Sequence, residues 1–84
     1  SAPAPASPAS VVDDATVTTT IQARYFVDPT VKGSTIDVSS KDGVVLLQGR
    51  VPTEAVRKQA LAIAQNTEGV SQVVDRLSVV PAGR

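Results

Sequence analysis

Along residues 13–80 the apolar positions alternate between a helical and a strand-like spacing, and each change falls at a turn-forming residue. Val17, Ile21 and Tyr25 recur at steps of four, which lines one face of a helix over residues 11–28. Asp13 and Asp14 stand before that run as N-cap candidates, and Pro29 stops it. The β-branched Thr18, Thr19 and Thr20 lower intrinsic helix preference, so this helix rests on its apolar stripe and its cap. Asp28-Pro29 and Lys32-Gly33 then bracket a loop. Beyond it Ile36 and Val38 alternate with Asp37 and Ser39, which predicts a strand with one wet face.

Asp42-Gly43 suits a two-residue hairpin reversal, because Gly adopts positive φ without a Cβ penalty. The run from Val44 to Val51 that follows is apolar enough for a central strand: Val45, Leu47, Gly49 and Val51 share one face, and Val44, Leu46, Gln48 and Arg50 the other. Gly49 leaves a gap in its row, read as room for a helix to approach closely. Pro52 and Thr53 open a second helix, with Thr53 as N-cap and Val56, Ala60, Ile63, Ala64 and Thr67 on its inner stripe. Gly69 is placed as the left-handed residue just past that helix, with Val70 as the hydrophobic contact after it. A third strand carries Val73, Leu77 and Val79 on one face, interrupted by Asp75.

A strand, a helix and a further strand in this order make a βαβ crossover, which sets the second and third strands parallel, while the hairpin sets the first antiparallel to the second. The expected fold class is α+β: one small αββαβ domain, a three-stranded mixed sheet with the most apolar strand in the middle and two helices on one face. Its expected extent is residues 13–80. Residues 1–12 begin SAPAPASPAS, whose Ala, Pro and Ser favour extended conformers with nothing bulky to pack, so they are read as a disordered tether. Residues 81–84 are read as a frayed tail.

A chain of 84 residues, 42% of them apolar, can build one modest core. Its 8 basic and 8 acidic side chains cancel, so long-range attraction to nucleic acid or to an anionic membrane is not expected, and any lipid contact must be local. No apolar run approaches the length that spans a bilayer, and no signal-peptide pattern is seen. With no His and no Cys, the commonest general base and the strongest nucleophile are missing, and neither a G-x-S-x-G elbow nor a Ser-x-x-Lys pair occurs, so no catalytic residue is assigned. The carboxylates of Asp13, Asp14, Asp37 and Asp42 lack the spacing of a calcium loop and are read as caps and turn formers, so no metal or other cofactor is expected. Tyr25 and Phe26 are the only aromatics and the cations are scattered, which argues against a nucleic-acid platform.

Three spaced signatures carry a family resemblance. The hairpin Asp42-Gly43-Val44-Val45-Leu46-Leu47-Gln48-Gly49-Arg50-Val51, the alanine-rich helix around Ala60 and Ala64, and Glu68-Gly69-Val70 with Val73-Val74-Asp75-Arg76-Leu77 resemble the BON domain over almost all of the expected domain. Leu46 stands where a small polar residue is frequent, and Asp75 replaces a frequent Asn. The resemblance implies a non-enzymatic module of the bacterial envelope, periplasmic or anchored to the outer membrane as in lipoproteins. It also implies binding to phospholipid surfaces and a part in osmotic or envelope stress protection. The family offers no catalytic motif; Gly43, Gly49, Gly69, Val45, Leu47 and Val70 match positions that determine its fold.

The residues themselves add one candidate contact. Arg24, Tyr25 and Phe26 place a cation beside two aromatics at the end of the first helix. Adjacent helical positions point about 100° apart, so the two rings cannot both enter one core. A surface ring beside an arginine suits the headgroup boundary of a phospholipid membrane. The alternative is a protein interaction or assembly module with an envelope partner, working through the outer sheet face at Val44, Leu46 and Val74 or through a strand edge.

Overall fold

A computed structural model describes residues 13–81. The elements run α1 (Asp14–Val27), β1 (Thr35–Lys41), β2 (Val44–Val51), α2 (Glu54–Gln65) and β3 (Gln72–Val79), the predicted αββαβ order. The tether read for residues 1–12, and residues 82–84 of the tail, lie outside the described residues.

The sheet order is β1-β2-β3, so the most apolar strand is central. β1 pairs antiparallel with β2, Val38 opposite Leu47, and β2 pairs parallel with β3, Val45 beside Val73 and Gly49 beside Leu77. At the hairpin, Asp42 (φ 52°) and Gly43 (φ 84°) are both left-handed, as a type I′ reversal between right-twisted strands requires.

Alternation then decides which side chains are dry. Val38 from β1 and Val45, Leu47 and Val51 from β2 point to one face and are buried there, with Ile36, Val73 and Leu77 packed around them. α1 contributes Val17, Ile21 and Tyr25 to the same cluster, and α2 contributes Val56, Ala60 and Ala64. Both predicted stripes therefore face the core. The alanines of α2 present no bulk beyond Cβ, which lets the Tyr25 hydroxyl reach across and donate to the Ala60 carbonyl at 2.8 Å. Thr67 closes the stripe, buried and donating its hydroxyl to the Ile63 carbonyl at 2.8 Å.

Several local expectations are corrected. Asp13 does occupy the N-cap of α1, but without a side-chain cap bond; the neighbouring Asp14 accepts from the Asp42 amide at 3.0 Å, and the Ser40 hydroxyl donates to the Asp14 carbonyl at 2.7 Å. The side chains at the start of α1 thus pin it to the hairpin tip rather than closing a local side-chain cap. At the start of α2, Thr53 caps as expected, its hydroxyl accepting from the Val56 amide at 3.2 Å. Gly69 is left-handed (φ 93°), yet α2 stops earlier, with Asn66 as its C-cap, so Gly69 serves a separate turn closed by the Val70 amide on the Thr67 carbonyl at 3.2 Å. Val70 does fold back against the core. Gly49 (φ 132°) makes way not for a helix but for backbone: a Cβ there would drive into the Thr35 carbonyl oxygen of β1 and lie 3.2 Å from the Ile36 Cα. Arg57 bridges Glu54 and Asp75, which explains why an acidic residue interrupts the inner row of β3.

Candidate functional site

The topology gives the domain two ends. β1 runs toward the hairpin and β2 away from it; α2 returns, and β3 again runs away. Asp14 touches Asp42, so α1 starts at the hairpin end and finishes, with Arg24, Phe26 and Val27, at the opposite end. That far end also holds the loop 28–34, the finish of β2 at Arg50 and Val51, the start of α2, and the finish of β3.

The charges sort along the same axis although they cancel in total. Asp13, Asp14, Asp42 and Glu68 cluster at the hairpin end beside Lys41, whereas Arg24, Lys32, Arg50 and Lys58 gather at the far end. Two carboxylates of the far end are engaged by donors close by. Asp28 accepts from the Gln59 side chain at 2.9 Å and from the amides of Thr30 and Val31 at 2.8 and 3.1 Å; the Gln59 bond first, with those amides, holds its pKa below the ordinary 3.8 against the opposing effect of desolvation. Glu54 is likewise held low, chiefly by its hydrogen bond from Arg57, whose own pKa that partnership raises.

Within this end the predicted contact residues separate. Tyr25 lies in the core, 7% exposed, and burial pushes its phenol pKa up. Its ring therefore holds the end of α1 onto α2 and is not offered to a surface. Phe26 is 73% exposed, and so is Val27, which the sequence reading did not single out. Arg24 is exposed in the last turn of α1. The helix period accounts for the split: the stripe of Val17, Ile21 and Tyr25 claims the inward direction, and positions 24, 26 and 27 fall outside it.

Leaving a phenyl ring and a valine this open forgoes roughly 2 kcal/mol of burial for each, and among the described residues these are the most exposed of the large hydrophobic side chains. Lys32 and Arg50 belong to the same end, and sequence spacing gave no hint of it; only the pairing of Thr35 with Arg50 brings them together. Among the described residues no cluster of His, Cys, Asp and Glu could hold a metal ion, and no helix is long and apolar enough to cross a membrane.

Comparison with known proteins adds a family. The model of the BON domain matches residues 13–81, the whole of the described chain. Osmotically-inducible protein Y of Escherichia coli (strain K12) is 32% identical over 68 residues, covering 81% of this chain and 34% of that protein. Outer membrane lipoprotein DolP of Haemophilus influenzae is 32% identical over 78 residues, covering 92% of this chain and 40% of that protein. The chain thus spans between a third and two fifths of the length of these relatives.

Proposed function

The chain belongs to the BON domain family, and from that premise we propose that it is a non-enzymatic module of the bacterial cell envelope that settles on phospholipid surfaces through the far end of α1. It works in the periplasm or at the outer membrane, where it helps the envelope withstand osmotic or other stress. The names of the two relatives, one osmotically inducible and one an outer-membrane lipoprotein, support the compartment and the stress role. The observation that carries the contact is the pair Phe26 and Val27, each 73% exposed, in the same last turn of α1 as the exposed Arg24. Phe26 enters the acyl boundary while the Arg24 guanidinium meets phosphate, and the buried Tyr25 keeps the tip rigid.

Vesicle cosedimentation tests this reading. Phe26→Ala and Arg24→Ala are each expected to weaken binding to phosphatidylglycerol-containing vesicles by about fivefold or more, at an unchanged circular dichroism spectrum. Binding equal to that of the parent chain in both variants would reject it.

A second reading has its own observation. On the sheet face turned away from the helices, Leu46 pairs with Val74, and the 36%-exposed Val44 continues the strip. Beside it lies a shallow depression of about 430 Å³ lined by Ser39, Ser40, Lys41, Asp42, Val44 and Leu46. An envelope protein partner would dock there. Leu46→Lys is expected to abolish such an association and leave vesicle binding intact; a chain that sediments as a monomer and captures no envelope protein excludes this reading.

A further inference from the structure

A second surface feature at the far end lies beside the aromatic tip. The loop after α1 and the ends of β2 and β3 enclose an open cleft of about 380 Å³. Its walls carry two cations, Lys32 and Arg50, the hydroxyls of Thr30, Ser34 and Thr35, and no carboxylate. Val51, Pro52, Val80 and Pro81 form its apolar side, and the Val80 amide donates to the Val51 carbonyl at 2.8 Å, which fixes that wall to the sheet.

The position of the cations is built rather than incidental. Arg50 stands opposite Thr35 in the β1–β2 register, while Lys32 sits in the turn closed by the Ser34 amide on the Val31 carbonyl at 3.0 Å. Among the described residues the ion pairs all involve Arg57, so neither Lys32 nor Arg50 has a carboxylate within pairing distance. The nearest acid in sequence register is Asp37, which faces Gln48 one pair further along the same sheet face. Asp28, at the base of the loop, directs its oxygens to Thr30, Val31 and Gln59. Two unpaired cations with hydroxyl donors between them suit a phosphate oxyanion.

The cleft also adjoins the contact proposed above. Gly33 and Ser34 line both this cleft and a smaller depression walled by Tyr25, Phe26 and Val31. A bilayer that took Phe26 into its acyl boundary would bring its phosphate layer level with this rim. An apolar wall on one side and cations on the other match an amphiphile better than a free anion.

We infer that the cleft of Lys32 and Arg50 is the binding site for the phosphate of an anionic phospholipid headgroup. The inference rests on the reading that the α1 tip meets membranes, and it names the headgroup site that reading leaves open. Arg50 forks onto the phosphate oxygens, Lys32 supplies a second charge, and Val80 and Pro81 lie along the glycerol end of the lipid.

The test compares three variants on vesicles of phosphatidylcholine with equal phosphatidylglycerol, and follows amide shifts with short-chain phosphatidylglycerol and with inorganic phosphate. Lys32→Gln with Arg50→Gln is expected to weaken vesicle binding by about 30-fold, since each cation at an anionic surface contributes about a factor of five. Lys41→Glu lowers the net charge by the same two units elsewhere and is expected to cost less than about threefold; Lys41 lies about 20 Å from Thr35 along β1, beyond the screening length. Short-chain phosphatidylglycerol is expected to give saturable shifts at residues 32–35, 50–51 and 80. Equal losses in the Lys32 and Arg50 variant and in Lys41→Glu would overturn the site in favour of diffuse attraction. Identical saturable shifts with inorganic phosphate at the same affinity would overturn the lipid assignment. If Phe26→Ala abolishes vesicle binding while the Lys32 and Arg50 variant retains it, the membrane contact stands and this site falls; if the double variant loses binding and Phe26→Ala does not, the reverse holds.

Discussion

Replacing Gly49 by alanine tests the tightest contact in the sheet. At φ 132° an L side chain is strained whatever surrounds it, and the added methyl would press into the Thr35 carbonyl oxygen with the Ile36 Cα only 3.2 Å away. Both are backbone atoms of a paired strand, so relief requires β1 to shift and its ladder to loosen. The backbone strain costs about 1–3 kcal/mol, the forced displacement a similar amount, and each lost ladder bond about 1 kcal/mol more. A total of about 4 kcal/mol or more is comparable with the whole stability of a domain this small, about 4–10 kcal/mol. Gly33→Ala is the matched control: its φ of 92° is also left-handed, but nothing lies within 4 Å of the added methyl. The control therefore bears only the strain, and its melting temperature is expected to fall by about 5–15 °C. Gly49→Ala is expected to fall by more than about 20 °C, or to leave no cooperative transition in thermal circular dichroism. Melting of the two variants within about 5 °C of each other would refute the argument that backbone collision, and not φ alone, demands glycine at position 49.

Tyr25→Phe removes a single buried hydrogen bond to Ala60, whose carbonyl keeps its helical partner, so thermal melting should drop by about 4–8 °C, for a loss of about 1 kcal/mol. Phe26→Ala, at an exposed site, should change stability by less than about 0.5 kcal/mol; a loss equal to that of Tyr25→Phe would contradict the assignment of one ring to the core and one to the surface. Asp28 is held below its ordinary pKa of 3.8 in the folded state, first by Gln59, so its contribution is present above that value and is lost as pH falls through the lower folded value. Asp28→Asn should flatten the fall in melting temperature below about pH 4, and an unchanged acid limb would count against it. Leu47→Ala, at a position with no exposure in the middle of the core, should cost about 3–4 kcal/mol in denaturant unfolding.

The elements were legible because each signal was local. The Val17, Ile21 and Tyr25 stripe, the Asp42-Gly43 reversal and the Thr53 cap need no knowledge of distant residues, and all three stand in the structure. What misled depended on partners far along the chain. Asp14 gave its carboxylate to the Asp42 amide, and Gly49 met Thr35 rather than a helix. Gly69 read as a helix terminator because its left-handed need is local, whereas α2 already stops at Asn66 and the buried Thr67 beyond it turns its hydroxyl onto the Ile63 carbonyl. At the candidate site, the helix period foretold that only one of Tyr25 and Phe26 could be buried. It could not reveal Lys32 beside Arg50, because a net charge of zero conceals how charges are distributed once the chain folds back on itself.

The bond between Asp14 and Asp42 has a mechanical corollary. It fixes the point where the polypeptide enters the folded unit on the side remote from Phe26, and the 14 residues of α1 separate the two by about 21 Å. A leash from Asp13 to a bilayer met by Phe26 in the proposed manner must therefore descend the full height of the domain, which takes at least about six fully stretched residues. A shorter leash would lift the aromatic tip away from the lipid and turn it toward whatever faces the membrane from the other side.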